Sequence, residues 1–124
     1  MSTTTLEFVC KRDDLAPGEM RAFRVGRTRI VLCRTDDRFA ALRDICSHQG
    51  AALSGGLLTG TNVPCPVVGH YEYGRAGEIV RCPRHGYEFD IWTGKSIHNP
   101  DHERVKSYPV VLQGDDVFIE LEAR

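Results

Sequence analysis

Two short segments of the chain carry matched pairs of metal-binding side chains. One residue separates Cys46 from His48, and two residues separate Cys82 from His85, so that each cysteine precedes its histidine. Two thiolates and two imidazoles together supply four donors of the kinds that zinc and iron–sulfur centres use. CxH followed downstream by CxxH and Gly86 is a much narrower pattern than scattered Cys and His residues. The sequence therefore predicts one metal centre, held by two separate loops.

This pattern resembles that of Rieske-type [2Fe-2S] ferredoxins, the carriers of bacterial ring-hydroxylating dioxygenase systems. The resemblance runs through CSHQG at 46–50, CPRHGYEFD at 82–90 and TGK at 93–95, and it covers most of the chain. It implies one [2Fe-2S] cluster per chain, with two His replacing two of the four Cys. Cys46 and Cys82 would bind one iron, and His48 and His85 the other.

The same resemblance implies a function and partners. We expect one-electron transfer from an NAD(P)H-dependent flavoprotein reductase to a terminal oxygenase, through small and transient docking contacts. The chain has no Gly-rich dinucleotide fingerprint of its own. In this family the histidine ligands lie at an exposed tip beside a proline-containing loop, and Asn99-Pro100 occupies the matching position. The resemblance thus leads us to expect an electron-transfer protein rather than an enzyme.

Composition limits the other functions open to the chain. Its 124 residues fit a single domain, and 16 basic against 17 acidic residues leave no excess of positive charge for nucleic acid. The apolar run Leu6–Cys10 is far too short for a signal peptide or a membrane anchor. Five cysteines fit a disulfide framework poorly, and Cys10 and Cys33 look like small buried apolar residues. We expect a cytoplasmic protein that binds neither membranes nor nucleic acid.

Short strand patterns separated by turn signals predict an all-β fold. An antiparallel β-sandwich base is expected from about 1–44 and 101–124, with a small cluster-binding lobe inserted at about 45–100. Pro109 lacks an amide donor, so it should lie on an edge strand or at a bulge. Two hairpins are expected, the first from 28–33 and 38–42 and the second from 107–112 and 117–121.

Alternation in the segment after Cys82 predicts which side chains are buried. Tyr87, Phe89 and Ile91 should face the core, while Glu88, Asp90 and Trp92 share the opposite face. An exposed Trp92 could contact a partner, although packing beneath the preceding insertion is the favoured interpretation. His98 and His102 are expected to be solvated loop residues.

The stretch between His48 and Cys82 is longer than is usual in these ferredoxins. The excess falls within 57–78 and contains Cys65 and His70, which could themselves bind metal. The segment lacks the CxxH-Gly form, and prolines flank Cys65 on both sides. A surface loop packed over the cluster-binding lobe is the favoured interpretation, and its role stays open.

Three other functions fit parts of the pattern. A structural zinc module uses the same donor types, but CxH is uncommon among zinc sites. The chain could also be a small subunit of a larger oxidoreductase, with a structural or regulatory role. A complete oxygenase would need a further iron site of two His and one carboxylate, and the residues after His85 are too few to build it.

We predict a midpoint potential in the lower part of the Rieske range, which runs from about −150 to +300 mV. High-potential members of the family carry an extra cysteine in each ligand loop and hydroxyl groups that donate to the cluster. Here Ala51 and Arg84 cannot form the disulfide, Phe89 lacks the hydroxyl, and bulky Tyr87 replaces a small serine, so fewer donors stabilise the reduced cluster. Redox titration followed by electron paramagnetic resonance checks this prediction. A midpoint well above about 0 mV would contradict it.

Overall fold

The computed structural model describes residues 4–46, 51–64, 71–83 and 87–122, with the backbone alone for 61–64 and 71–76. Over these ranges the chain forms strands and short 3-10 helices and no α-helix, which confirms the predicted all-β fold. None of the described segments forms a helix that could span a membrane. The strands are β1 (Thr4–Lys11), β2 (Met20–Val25), β3 (Thr28–Thr35), β4 (Arg38–Arg43), β5 (Leu57–Pro64), β6 (Tyr71–Arg81), β7 (Glu88–Asp90), β8 (Ser107–Tyr108), β9 (Val110–Gln113) and β10 (Asp116–Glu122).

The strands form three antiparallel sheets. The first sheet has the order β1-β10-β9, the second β2-β3-β4-β8, and the third β5-β6-β7. Both predicted hairpins are present, as β3–β4 and β9–β10. Their tight turns need a positive φ, which Asp36 (52°) and Gly114 (60°) supply.

Pro109 lies where the chain passes from one sheet to another. It follows β8, an edge strand of the second sheet, and precedes β9, an edge strand of the first. Without an amide hydrogen it cannot donate to either ladder, but its carbonyl accepts the Glu120 amide at 3.0 Å. Pro109 therefore lies between two edge strands, which agrees with the prediction of an edge position.

Both faces of the second sheet are buried. Successive residues of β3 point to opposite faces, so that Ile30 and Leu32 pack toward the first sheet while Val31 and Cys33 pack toward the third. Val117 and Ile119 of β10 cover the first of these faces. The other face contacts a cluster that includes residues from the ligand-bearing segments. Its members are Val31, Cys33, Ala40, Leu42, Cys46, Leu53, Val80, Cys82, Phe89, Ile91 and Val105.

The thiols of Cys10 and Cys33 behave as the apolar residues that the sequence predicted. Their side chains lie in the core, and Cys33 is completely inaccessible to solvent. Burial raises the pKa of Cys10 to about 11 and that of Cys33 to about 12, because a thiolate loses its hydration there. None of the described cysteines forms a disulfide. Both thiols therefore stay protonated and unreactive at neutral pH.

The long segment before Cys82 is a β-hairpin, so the interpretation of 57–78 as a loop was wrong. β5 pairs with β6 from Leu57↔Arg81 to Pro64↔Tyr71, with one irregularity between Thr59 and Thr61. Main-chain hydrogen bonds therefore extend into the insertion. Cys65 and His70 lie outside the described residues, so their proposed alternative role as ligands stays untested.

Side chains of the second sheet hold the third sheet in place. Thr35 Oγ1 donates to the carbonyl of Gly77, whose φ of +80° favours glycine. The Trp92 indole donates to Glu78 Oε1 at 2.8 Å, and the Arg38 guanidinium lies 4.0 Å from the centre of the same ring. Trp92 is therefore half-buried in the contact between the sheets, as the packing interpretation expected.

Gly56 lies in close contact with the backbone directly before Cys82, so that the two predicted ligand segments approach each other here. A Cβ atom at this position would lie 1.8 Å from the Arg81 carbonyl oxygen, directly before Cys82. A Cβ at neighbouring Gly55 would instead meet the Pro83 ring at 3.7 Å, an ordinary contact. Only glycine therefore allows this close approach, since the obstructing atom belongs to the backbone.

Replacing Gly56→Ala should lower the free energy of unfolding by about 1–3 kcal/mol, the usual cost of overpacking. The added methyl group cannot avoid the Arg81 carbonyl by changing rotamer. Gly55→Ala is the matched control and should stay within about 0.5 kcal/mol of the parent. Denaturant unfolding measures both values, and equal stabilities for the two variants would refute the close contact.

Candidate metal centre

Cys46, from the segment before β5, and Cys82, from the segment between β6 and β7, lie in the same buried cluster. Each is 2% exposed, and both pack in the cluster that contains Leu53, Val80 and Phe89. His48 and His85 lie outside the described residues. The structure thus brings together the two predicted thiolate ligands, while the full set of four stays a prediction.

The first ligand loop begins where β4 ends. The main-chain amide of Cys46 donates to the carbonyl of Ala51 at 2.7 Å, which closes a loop over residues 46–51. The amide of Arg43 donates to the Lys106 carbonyl at 2.8 Å and holds the preceding residues beside β8. Cys46 is therefore positioned by the backbone on both sides.

The second ligand loop joins β6 to β7 and closes in the same way. The amide of Cys82 donates to the carbonyl of Tyr87 at 2.7 Å, so the loop covers residues 82–87. In both loops the cysteine amide bonds the carbonyl five residues later. The CxH and CxxH motifs, despite their different spacing, lie in loops of equal length.

A buried carboxylate lies at the base of the first loop. The Asp44 side chain is fully buried, and both of its oxygens accept hydrogen bonds from Ser54, Oδ1 from the amide and Oδ2 from the hydroxyl, each at 2.7 Å. Arg29 Nη2 lies 3.7 Å from Oδ2. Sequence reasoning missed Asp44, because its partner Ser54 lies on the far side of the loop.

A second carboxylate lies at the base of the other loop. Glu88 Oε2 pairs with Arg81 Nη2 at 2.9 Å, and Glu88 Oε1 lies 3.5 Å from His98 Nε2. Alternation placed Glu88 on the face away from the core, but its side chain is only 8% exposed. The carboxylate can be buried on that opposite face because it is paired with Arg81. Phe89 and Ile91 are buried as predicted, and Tyr87 is partly buried.

The remaining predicted residues lie at the surface. His98 and His102 are exposed, as expected for solvated loop residues. Asn99 and Pro100 are also exposed, and the Asn99 carbonyl accepts the amides of His102 and Glu103 in a turn. In the part of the chain that the structure describes, no three potential ligands come together, and both predicted histidine ligands lie outside that part.

Exposed apolar side chains adjoin both ligand segments. Ile45, directly before Cys46, is 37% exposed, and Leu57, which pairs with Arg81, is 61% exposed. Pro83, directly after Cys82, is also exposed. Beside the first loop opens a cleft of about 750 Å³ whose lining includes the cations Arg27, Arg29, Arg43 and Lys106.

The described residues fit an iron–sulfur centre. Two cysteines from separate loops share one apolar cluster without forming a disulfide, and each loop is held by a main-chain hydrogen bond. Thiolates are the ligands that iron–sulfur clusters require, and a dry surrounding strengthens their interaction with the metal. Cys10 and Cys33, by contrast, lie on strands with no such loop.

Comparisons with known proteins identify the family of the chain. The model of the Rieske [2Fe-2S] domain matches residues 5–81, a range that ends directly before Cys82. The ferredoxin component of biphenyl 2,3-dioxygenase from Rhodococcus jostii is 34% identical over 114 residues, which cover 92% of this chain and 91% of that protein.

Solved structures show the same fold. The ferredoxin of carbazole 1,9a-dioxygenase from Nocardioides aromaticivorans superposes with a TM-score of 0.73 at 28% identity, covering 93% of this chain and 96% of that one. A ferredoxin solved in complex with the oxygenase of a carbazole 1,9a-dioxygenase gives a TM-score of 0.69 at 27% identity, with 92% and 91% coverage.

The sequence motif, the buried pair of cysteines and these matches lead to one conclusion. The chain belongs to the Rieske [2Fe-2S] domain family, carries one [2Fe-2S] cluster, and is an electron carrier rather than an enzyme.

Proposed function

We propose that Cys46 and Cys82 bind one iron of the cluster and that His48 and His85 bind the other. The support comes from the shared buried cluster of the two cysteines and from the spacing of each histidine in its loop. When bound, the cluster accepts and releases a single electron. Two neutral imidazoles in place of thiolates remove negative charge from the centre and so favour its reduced form.

The residues around the cysteines exclude water from the thiolate side of the site. Leu53, Val80 and Phe89 are fully buried against the two cysteines. The hydrogen bonds that close the two loops hold the cysteines in place when the charge of the centre changes. Little rearrangement is then needed on electron transfer, which suits a carrier that must exchange electrons quickly.

We propose that the chain forms one domain with a base at about 1–44 and 101–124 and a cluster-binding lobe at about 45–100. The distribution of strands supports this division. The first and second sheets draw only on strands between Thr4 and Arg43 and between Ser107 and Glu122, whereas the third sheet lies between Leu57 and Asp90.

In the cell, we propose that a flavoprotein reductase fed by NAD(P)H reduces this protein, which then reduces a terminal oxygenase. The relatives named as ferredoxin components of dioxygenases support this order, as does the carbazole ferredoxin solved with its oxygenase. We place the protein in the cytoplasm, because the described cysteines are free thiols, as suits a reducing compartment.

The ligand assignment predicts opposite effects for two serine substitutions. Cys82→Ser should abolish the red-brown colour and the bound iron and sulfide, because serine cannot replace a buried thiolate ligand. Cys65→Ser, in the sequence between His48 and Cys82, should keep them. Iron and sulfide analysis with visible and electron paramagnetic resonance spectra measures both. If Cys65→Ser bleached the protein and Cys82→Ser did not, the ligand set would be wrong.

Leu57 is expected to contact the oxygenase, because it is the most exposed large apolar residue of the described chain and lies beside both ligand segments. Leu57→Gln should lower the rate constant for oxidation of the reduced protein by its oxygenase about fivefold, the effect of losing about 1 kcal/mol. The matched control is Leu6→Gln on β1, whose side chain is 43% exposed. Equal rate constants for the two variants would remove Leu57 from the interface.

A further inference from the structure

The first ligand loop is closed twice, once by the backbone and once by side chains. Inside, the Cys46 amide bonds the Ala51 carbonyl. Outside, the carboxylate of Asp44 bonds both the amide and the hydroxyl of Ser54, each at 2.7 Å. Residues 44 and 54 flank the whole segment that carries Cys46 and His48, so these two bonds tie the ends of the ligand segment together.

The burial of Asp44 shows that this contact is strongly constrained. Its side chain has no solvent-accessible surface, and a carboxylate without partners in such a place would be severely destabilising. A single residue, Ser54, satisfies both oxygens. Arg29 adds little, because it is 3.7 Å away and its own side chain is 62% exposed. Ser54 is therefore the main partner that holds the carboxylate.

Ser54 also connects the first ligand segment to the second. It lies in the 3-10 helix Leu53–Gly55, where Leu53 packs in the same cluster as Cys46 and Cys82. Gly56, which follows this helix, touches the Arg81 carbonyl directly before Cys82. A displacement of Ser54 would therefore shift the positions of both cysteines.

We propose that Asp44 and Ser54 are positioning residues for the cluster, which fix the place of Cys46 at the start of the first ligand loop. This inference rests on the proposed ligand set. Neither side chain needs to touch the cluster. Their effect reaches it through the position of the loop, and in metal centres the loss of such outer contacts typically weakens metal binding about 10- to 100-fold.

The test uses the purified iron-loaded protein and four variants. Ser54→Ala removes the hydroxyl bond, whereas Ser54→Thr keeps it. Asp44→Asn keeps the shape of the side chain, and its amide group can still bond both the Ser54 amide and the hydroxyl, whose proton can turn. Thr35→Ala removes a side-chain bond to Gly77 at a contact between sheets, away from the ligand loops, and serves as the structural control.

Ser54→Ala should release iron to a chelator about tenfold faster than the parent and should broaden or split the electron paramagnetic resonance signal of the reduced protein. Hydrogen exchange at the Cys46 amide should accelerate by a similar factor. Ser54→Thr should restore all three properties, and Asp44→Asn should keep the shape of the signal. Thr35→Ala should lower the thermal stability but leave the signal and the Cys46 amide unchanged.

The inference fails if Ser54→Ala and Thr35→Ala behave alike in iron release and spectrum, or if Ser54→Thr, though folded, does not restore them. A failure of the proposed ligand set looks different, since the parent itself would then contain no iron or sulfide. In that case exchange at the Cys46 amide still reports on the Asp44–Ser54 contact, because it requires no metal.

Discussion

Strands β3 and β4 must be covered on both faces, and most of the molecule is arranged by that constraint. One face is covered by the first sheet through residues such as Val117 and Ile119. The other face is covered by a cluster in which Cys46 and Cys82 are themselves buried members. The two cysteines that we propose as ligands are thus part of the hydrophobic core and do not belong to a separate surface feature. Folding of the core and assembly of the site are for this reason one process.

The sequence predicted the elements whose signals are local. Alternating apolar residues with turn residues such as Asp36 and Gly114 marked both hairpins, and the apolar surroundings of Cys10 and Cys33 marked them as core. The meeting of Cys46 with Cys82 followed from the motif alone. In each case the signal was a short local pattern in the sequence.

Features that depend on distant partners were missed. The β5–β6 hairpin was taken for a loop, because Gly60 and the prolines in this segment weaken the strand pattern, and pairing with β6 compensates for them. The buried carboxylates Asp44 and Glu88 were not foreseen either, since only the folded chain brings Ser54 to one and Arg81 to the other. Buried charges of this kind can be identified only together with their partners.

The loop closures have a consequence for how such carriers diversify. Each loop has a closing bond between main-chain atoms, from the cysteine amide to a carbonyl five residues later, and the first loop adds the Asp44–Ser54 contact outside it. Within each loop, the side chains between the ligands are not needed for that bond. Natural variation or deliberate redesign can therefore exchange them to retune redox behaviour or partner choice while each cysteine amide keeps its main-chain bond. In each loop, six residues thus contain both the main-chain bond that must be kept and the side chains that can be changed.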